Sequence, residues 1–325
     1  MGALPIGSEL ELAGVVVERP WHPRRSHIVE AMDGRDRVAE LARESGLGPW
    51  ADQLAAVALP SARILLDDGP GELLGARLGG DPAMPSGFEW PMRNDGGALA
   101  FVGQIRLEEV ARLDIVSWLP DSGMLSVFYD ADDPPWSSAL EDRARWRVVW
   151  FADLSDLEAR RPPADLAPSC VFTPHVVRYR TEWTLPCAEN NEIGRILGPC
   201  WPPDPIVEPR YAGFFELGDR LSGHPDGVTH LPTHRLFGHP DQVQNAMPAD
   251  CEMLSRGLAW ESSKHPDIDA ELKRCGRDWR LLLQVDTDGR LGTDWGDTGV
   301  IYYWIKEADA AGRAFDRAWV ILQSC

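Results

Sequence analysis

Two stretches of the chain carry the same succession of strand-forming residues, and this repeat constrains the fold more than any other feature. The first stretch comprises residues 101–105, 123–129 and 146–149, and the second comprises residues 282–285, 299–304 and 318–321. In each, a strand with Gln104 or Gln284 near its end precedes an aromatic strand that begins at Gly123 or Gly299. This order predicts an internal duplication of a three-strand unit. Two unrelated β-meanders would align almost as well, so superposition of the two units decides between these explanations.

The remaining pattern divides the chain into four segments. Apolar residues recur at helical intervals in residues 1–60, which are predicted to form a helical N-terminal extension. Residues 61–160 and 266–325 contain the two β-rich lobes. Residues 161–265 are rich in proline, which excludes regular helix or central strand locally, and we expect an irregular segment between the lobes here. The predicted fold class is therefore α+β, with two related β-rich lobes.

The charge balance excludes two classes of partner. The 325 residues include 32 Lys and Arg against 51 Asp and Glu, a formal net charge of −19. Binding of nucleic acid or of an anionic membrane surface needs clustered cations, so neither partner is expected. No signal peptide and no run of roughly 18 uncharged apolar residues is present, and we expect a cytoplasmic protein without a membrane span.

Six cysteines are spread over the chain without a C-x-x-C pair. This number is too sparse for a disulfide scaffold in a chain of 325 residues. We therefore expect free thiols in or near the core, with the last residue, Cys325, exposed.

Histidines concentrate in one stretch, where four of the eight lie at His224, His230, His234 and His239. Imidazole nitrogens at such spacing suit Zn²⁺, and His230, His234 and His239 are the weak metal candidates of this sequence. A proline at position 232 prevents the helical spacing of a zincin, however, and the glutamate of that motif is missing. A solvated histidine-rich loop is the favoured interpretation, and no cofactor is expected.

Carboxylates cluster in the connection that follows residue 285. Asp286, Asp288, Asp294 and Asp297 lie within twelve residues, and hard oxygens at such spacing suit Ca²⁺. The EF-hand template fails, because Arg290 occupies a position that requires a ligand. Aspartates in such connections ordinarily bond to nearby backbone amides, which favours turn chemistry over a metal loop.

Tryptophan is abundant, with fourteen in the chain. Four of them, at Trp90, Trp136, Trp201 and Trp295, lie in irregular segments beside proline or glycine. Rings in such segments often remain partly exposed, and concave aromatic surfaces are the usual form of a binding site. We therefore hypothesise that these rings line a cleft between the lobes.

The glutamines of the two repeated units allow two interpretations. Gln104 and Gln284 each lie near the end of a strand. A glutamine there can hydrogen-bond a buried turn or present a neutral amide to a ligand. The first role is favoured, and both residues remain candidates for ligand binding.

Several blocks of the sequence, taken in order, resemble a known family. They are residues 78–85 (Leu-Gly-Gly-Asp-Pro-Ala-Met-Pro), 90–91, 99–105, 119–125, 234–240 (His-Arg-Leu-Phe-Gly-His-Pro), 279–286, 295–302 and Gln323. Their order and spacing resemble the YwqG-like family of bacterial proteins. The resemblance covers residues 62–323 and implies one compact α+β domain over that range. It also implies an association with bacterial toxin systems, and it supplies no reaction, cofactor or catalytic residue.

Two functional hypotheses from different classes follow. The leading one is a non-catalytic protein that binds a protein partner or small molecule in a cleft between the lobes. The predicted ligand-binding residues are Trp90, Gln104, His234, Gln284, Trp295 and Asp297. A charge of −19 suits a basic partner. The alternative is a metal-dependent enzyme centred on residues 224–239 or 286–297, while the sequence leaves the oligomeric state open.

Overall fold

The computed structural model describes residues 34–135, 139–200, 202, 205–206, 208–223 and 232–325. Its α-helices are α1 (Gly34–Glu44), α2 (Ala51–Val57), α3 (Leu107–Ala111), α4 (Asn191–Leu197), α5 (Pro209–Ser222), α6 (Pro248–Ser255), α7 (Pro266–Gly276) and α8 (Glu307–Ala311). Its strands are β1 (Leu59–Asp68), β2 (Arg77–Leu78), β3 (Ala83–Pro85), β4 (Ala100–Arg106), β5 (Met124–Tyr129), β6 (Trp146–Phe151), β7 (Leu157–Ala159), β8 (His175–Thr184), β9 (His234–Leu236), β10 (Trp279–Asp286), β11 (Val300–Lys306) and β12 (Trp319–Gln323). None of the helices in these ranges has the length and hydropathy that a bilayer crossing requires.

Ten of these strands form one antiparallel sheet, and the fold is α+β, as predicted. The strand order is β12-β11-β10-β9-β1-β8-β2-β4-β5-β6, while β3 and β7 pair separately. The six strands predicted for the two lobes are all present, three at each end of the large sheet. The strands of both predicted lobes therefore belong to a single sheet.

The order of this sheet reads alike from both ends. β1 pairs with β8 over ten residues in the middle, with Leu65 opposite Arg178. Outward from this pair, β9 and then β10 adjoin β1, while β2 and then β4 adjoin β8. Bulges interrupt β4 between Phe101 and Gly103, and β10 between Leu281 and Leu283, at matching distances before the two glutamines. Each half therefore repeats the same arrangement of five strands.

The two ends of the sheet pack against each other. Trp146 at the start of β6 meets Trp319 at the start of β12 edge to face, with ring centroids 5.0 Å apart. The indole nitrogen of Trp146 donates a hydrogen bond of 3.0 Å to the carbonyl of Ala318. Further in, Tyr129 packs edge to face against Trp295. These contacts curl the sheet around the main apolar core, and aromatic pairs contribute beyond the area that they bury.

A second apolar core lies beneath the helices. Residues of α1, α2, α4 and α5 bury their apolar faces against one another, including Val38, Leu54, Ile193 and Leu217. The helical extension predicted for residues 1–60 is thus helical over α1 and α2, while residues 1–33 lie outside the described ranges.

The segment expected to be irregular contains regular elements. β8 lies in the centre of the sheet, with Pro174 immediately before it and Pro186 two residues after it. α5 and α6 each begin at a proline, at Pro209 and Pro248. The first helical position has no use for its N–H as a hydrogen-bond donor, so proline is well tolerated there. These prolines therefore mark the ends of elements rather than interrupt them.

Truncation of the aromatic pair tests the closure of the sheet. We expect Trp146→Ala to lower the free energy of unfolding by about 3–5 kcal/mol, because it leaves a cavity at a fully buried contact. Trp260→Ala is the matched control, since the Trp260 ring is 55% exposed, and should change the free energy by less than about 0.5 kcal/mol. Urea denaturation followed by circular dichroism measures both. Equal losses in the two variants would contradict the role of the pair.

Candidate functional site

Gln104 binds backbone groups of the turn beside it. Its side-chain oxygen accepts a hydrogen bond of 2.9 Å from the Ala83 N–H. Its amide nitrogen donates to the carbonyls of Leu73 and Gly75, both at 2.9 Å. The side chain is completely buried. All of these contacts are with backbone groups of the protein, so the side chain stabilises the turn.

Gln284 makes the same contacts in the other half of the sheet. Its oxygen accepts from the Asp241 N–H at 2.9 Å, and its nitrogen donates to the Thr233 carbonyl at 2.8 Å. One further contact has no counterpart at Gln104, a hydrogen bond of 3.2 Å to Oδ2 of Asp241. The two glutamines therefore hold equivalent turns, in agreement with the favoured interpretation.

An arginine accompanies each glutamine, and the sequence analysis missed this pairing. Arg77 lies opposite Gln104, and Arg235 lies opposite Gln284. The guanidinium of Arg77 donates to the Asp81 carbonyl at 3.3 Å, and that of Arg235 donates to the His239 carbonyl at 2.9 Å. The signal was a repeated Arg-Leu-x-Gly-x-Pro at 77–82 and 235–240, whose glycines have φ of +74° and +72°. Glycine adopts a positive φ at little cost, because it has no Cβ.

The predicted tryptophan cleft is not assembled from the residues that the structure describes. Trp90 is half-buried and donates its indole N–H to the Leu99 carbonyl. Trp295 is buried in a different apolar cluster, edge to face with Phe172. Asp297 is exposed. Trp136 and Trp201 lie outside the described ranges, so their part in such a cleft stays a prediction.

The two described histidines of the metal hypothesis have other partners. Nδ1 of buried His234 accepts a hydrogen bond from the Asp286 N–H at 3.1 Å, and Nε2 lies 3.2 Å from Oδ2 of Asp288. Burial opposes ionisation of Asp288, but hydrogen bonds from His234 and Arg290 outweigh it and hold the pKa of this carboxyl below its ordinary value. Nε2 of His239 lies 2.9 Å from the Val57 carbonyl.

The described residues contain no group of three His, Cys, Asp or Glu side chains placed to hold a metal ion. In the carboxylate-rich connection, Asp286 accepts from the Thr233 N–H, and Asp294 accepts from the Gly296 N–H. The contact of Asp294 is the local turn contact that the favoured interpretation predicts, whereas Asp286 binds a backbone amide that lies 53 residues away in the sequence. His224 and His230 are not among the described residues. All six cysteines are free thiols, as expected.

A charged pocket opens elsewhere, between α5 and the strands β1, β8 and β9. Its floor comprises Arg63, Glu182, Arg235 and Asp241, and its cavity volume is about 350 Å³. Nε of Arg63 lies 3.0 Å from one Glu182 oxygen, and Nη2 of Arg235 lies 3.4 Å from the other. The same Nη2 lies 2.7 Å from Oδ2 of Asp241. We call this cavity the α5 pocket.

Helix α5 and the segment after β8 form the remaining walls. Together with Trp183 near the end of β8, they contribute Leu185, Phe215 and Leu221, with Gly218 between the last two. One side of the α5 pocket is therefore ionic and the other is apolar and aromatic. Such a combination orients a ligand through its polar groups while its apolar part is removed from water.

A comparison with known protein families finds a match for most of the chain. Residues 76–325 match the model of a family described as a domain of unknown function, DUF1963. The chain belongs to this family. No curated protein matches the chain. The DUF1963 region begins one residue before Arg77 and contains both Arg-Leu-x-Gly-x-Pro segments.

The two halves share their glutamines and arginines but not the charges of the α5 pocket. Arg63 lies opposite Arg235 on the neighbouring strand, and the residue opposite Arg77 is Val176. The residue held by Gln284 is Asp241, and the residue held by Gln104 is Ala83. The framework of the DUF1963 fold thus forms without these charges in one half. The other half carries them beside a cavity.

A substitution at Gln104 tests its structural role. We expect Gln104→Met to lower the free energy of unfolding by about 2–5 kcal/mol, because buried backbone groups lose their partners. Gln53→Met on the exposed face of α2 is the matched control and should change it by less than about 0.5 kcal/mol. Chemical denaturation measures both. If Gln104→Met leaves the free energy of unfolding unchanged, the amide is available to a ligand.

His239 should make stability depend on pH. Burial lowers the pKa of His239 from 6.5 to about 4. Between these values the unfolded state binds a proton that the folded state does not, so stability falls as the pH falls from 6.5 to 4, by about 3 kcal/mol from this group. We expect His239→Gln to remove this part of the pH dependence, whereas His265→Gln, at an exposed site, should retain it. Unfolding at several pH values measures the difference, and equal slopes in both variants would contradict it.

Proposed function

We propose that this protein is a non-catalytic binding protein whose ligand or partner occupies the α5 pocket. The ionic floor of the pocket carries this proposal. Arg63, Glu182 and Arg235 are almost completely buried. Arg235 has a counterpart in Arg77, but the positions equivalent to Arg63 and Asp241 in the other half are occupied by Val176 and Ala83. Burial of charged groups usually stabilises a fold no better than apolar residues of similar size do. A role in recognition accounts for charges that the fold does not require.

Binding accounts for the α5 pocket better than catalysis does. The hydroxyl of Thr184 donates to the Leu59 carbonyl and accepts from the His239 N–H, so its hydrogen bonds are already used. Burial raises the pKa of the Cys187 thiol, which keeps it neutral, whereas a nucleophilic cysteine needs a lowered pKa. Neither Thr184 nor Cys187 is thus activated as a nucleophile. The alternative metal-dependent enzyme finds no support among the described residues.

We also propose that this protein is YwqG-like and accompanies a bacterial toxin system in the cytoplasm, as the resemblance of its sequence blocks implies. Internal duplication is supported by the matching strand order, by the bulges in β4 and β10 and by the repeated Arg-Leu-x-Gly-x-Pro segments. Under this proposal, the duplication built the framework twice, and one copy acquired the charged floor.

Filling the pocket tests the proposed function. A Cβ added at Gly218 meets open space, so the side chain of Gly218→Phe should enter the α5 pocket while α5 remains helical. Gly194→Phe in α4 is the matched control, since a Cβ there also meets open space outside the pocket. We measure the melting temperature of both variants with a panel of small molecules and short peptides. A bound ligand raises it by mass action.

We expect compounds that stabilise the native chain to lose their effect on Gly218→Phe and to keep it on Gly194→Phe. The proposal is wrong if every stabilising compound acts equally on the two variants, because such compounds bind outside the α5 pocket. It is also wrong if no compound stabilises the native chain.

A further inference from the structure

The charges that a ligand meets first at the α5 pocket are negative. The side chain of Asp241 is 50% exposed, and Asp219 on α5 is exposed as well. The side chains of Arg63 and Arg235 are only 6% and 4% exposed, and buried Glu182 lies between them. The arginines are therefore covered, and Glu182 and Asp241 balance their charges. The exposed carboxylate of Asp219 then leaves the lining with a net negative charge. A cationic group is the complementary ligand.

The apolar wall suits a cation on a flexible apolar stem. Phe215 is 42% exposed and lies in the same lining as Asp219 and Asp241. Lysine and arginine bury their methylene stems against apolar surface while the charged end remains near polar groups. A cation near an aromatic face gains further attraction. The combination of ring and carboxylates matches a basic side chain.

A second observation points to a carbonyl group in the ligand. The side chain of Arg235 is only 4% exposed and lines the pocket. Its Nε has no hydrogen-bond acceptor among the described residues. A buried donor without an acceptor costs free energy, so a ligand that supplies an oxygen binds more tightly. Peptide groups supply such oxygens. A free metal ion or a simple amine does not.

The charge of the whole chain supports the same class of partner. The net charge of −19 creates a negative potential that attracts basic molecules over long distances. Such attraction raises association rates and favours partners of the opposite charge.

We propose that the α5 pocket binds a basic peptide segment of a partner protein, with a lysine or arginine side chain against Phe215 and the two carboxylates, and with a peptide carbonyl at Arg235. This inference rests on the proposed binding function. It adds the chemical class of the occupant, which the experiment below tests separately.

Three capped pentapeptides serve as probes, each with a central leucine flanked by two lysines, two glutamines or two glutamates. Calorimetric titration of the full chain at low salt measures their affinities. We expect the lysine peptide to bind about five- to tenfold more tightly than the glutamine peptide, with a smaller difference at high salt. The glutamate peptide should bind most weakly.

Variants then assign the effect to residues. Asp219→Asn should weaken binding of the lysine peptide about two- to fivefold, because the charge is exposed, and should leave the glutamine peptide unaffected. Glu158→Gln on β7 removes the same charge away from the pocket and should leave both affinities unchanged. Gly218→Phe should abolish binding of the lysine peptide, while Gly194→Phe should not.

The outcomes separate the two proposals. A glutamate or glutamine peptide that binds as tightly as the lysine peptide, with the effect of Gly218→Phe retained, overturns the basic class and leaves the pocket as a binding site. Spermidine is titrated under the same conditions as a free polyamine. If it binds as tightly as the lysine peptide, the inference of a peptide ligand is wrong and a free amine is indicated. Lysine-peptide binding that survives Gly218→Phe overturns this inference, and the panel of compounds still decides whether the α5 pocket binds a ligand. Failure of all three peptides overturns this inference, whereas the panel of compounds still tests the pocket.

Discussion

The pairing of β1 with β8 is the constraint on which the rest of the structure depends. These two strands join the halves of the sheet over ten residues. Their register places Arg63 opposite Arg180 and two residues from the partner of Glu182, so Arg63 and Glu182 meet on the same face. A slip of one residue would move one of these side chains to the other face of the sheet. The central register thus holds both the symmetry of the sheet and the ion pair of the α5 pocket.

Residues common to the halves and residues found in one half have different tasks. Gln104 and Gln284 satisfy backbone groups of equivalent turns, and Arg77 and Arg235 brace the same turns. Arg235 has a second task, because its other nitrogen contacts carboxylates where that of Arg77 contacts the Glu72 carbonyl. Under the proposed function, a fold with two similar halves maintains its framework in both and carries a binding site in one of them. The second half then serves as an internal reference for what the framework needs.

Sequence patterns predicted the strands at both ends of the sheet and the helical character of α1 and α2, because alternation and helical spacing are local properties. They also favoured the structural role of Gln104 and Gln284. β8 was not predicted, since Pro174 and Pro186 lie outside its ends and their effect on the strand between them depends on position. The α5 pocket was not predicted either. Its floor combines residues from β1, β8 and β9, whose separation in the sequence exceeds any local pattern.

By itself, the sequence determined the α+β class, the repeated order of strands, the acidic balance and the free cysteines, since each depends on composition or on short-range spacing. Only the tertiary structure decided which polar side chains are held by structural partners and which face a cavity. His234 and Trp295 resemble site residues in the sequence, yet they are buried among structural partners. Arg63 and Glu182 carry no motif, yet a shared register brings them together beside α5. Burial and pairing depend on contacts between distant strands, and a linear pattern does not specify these contacts.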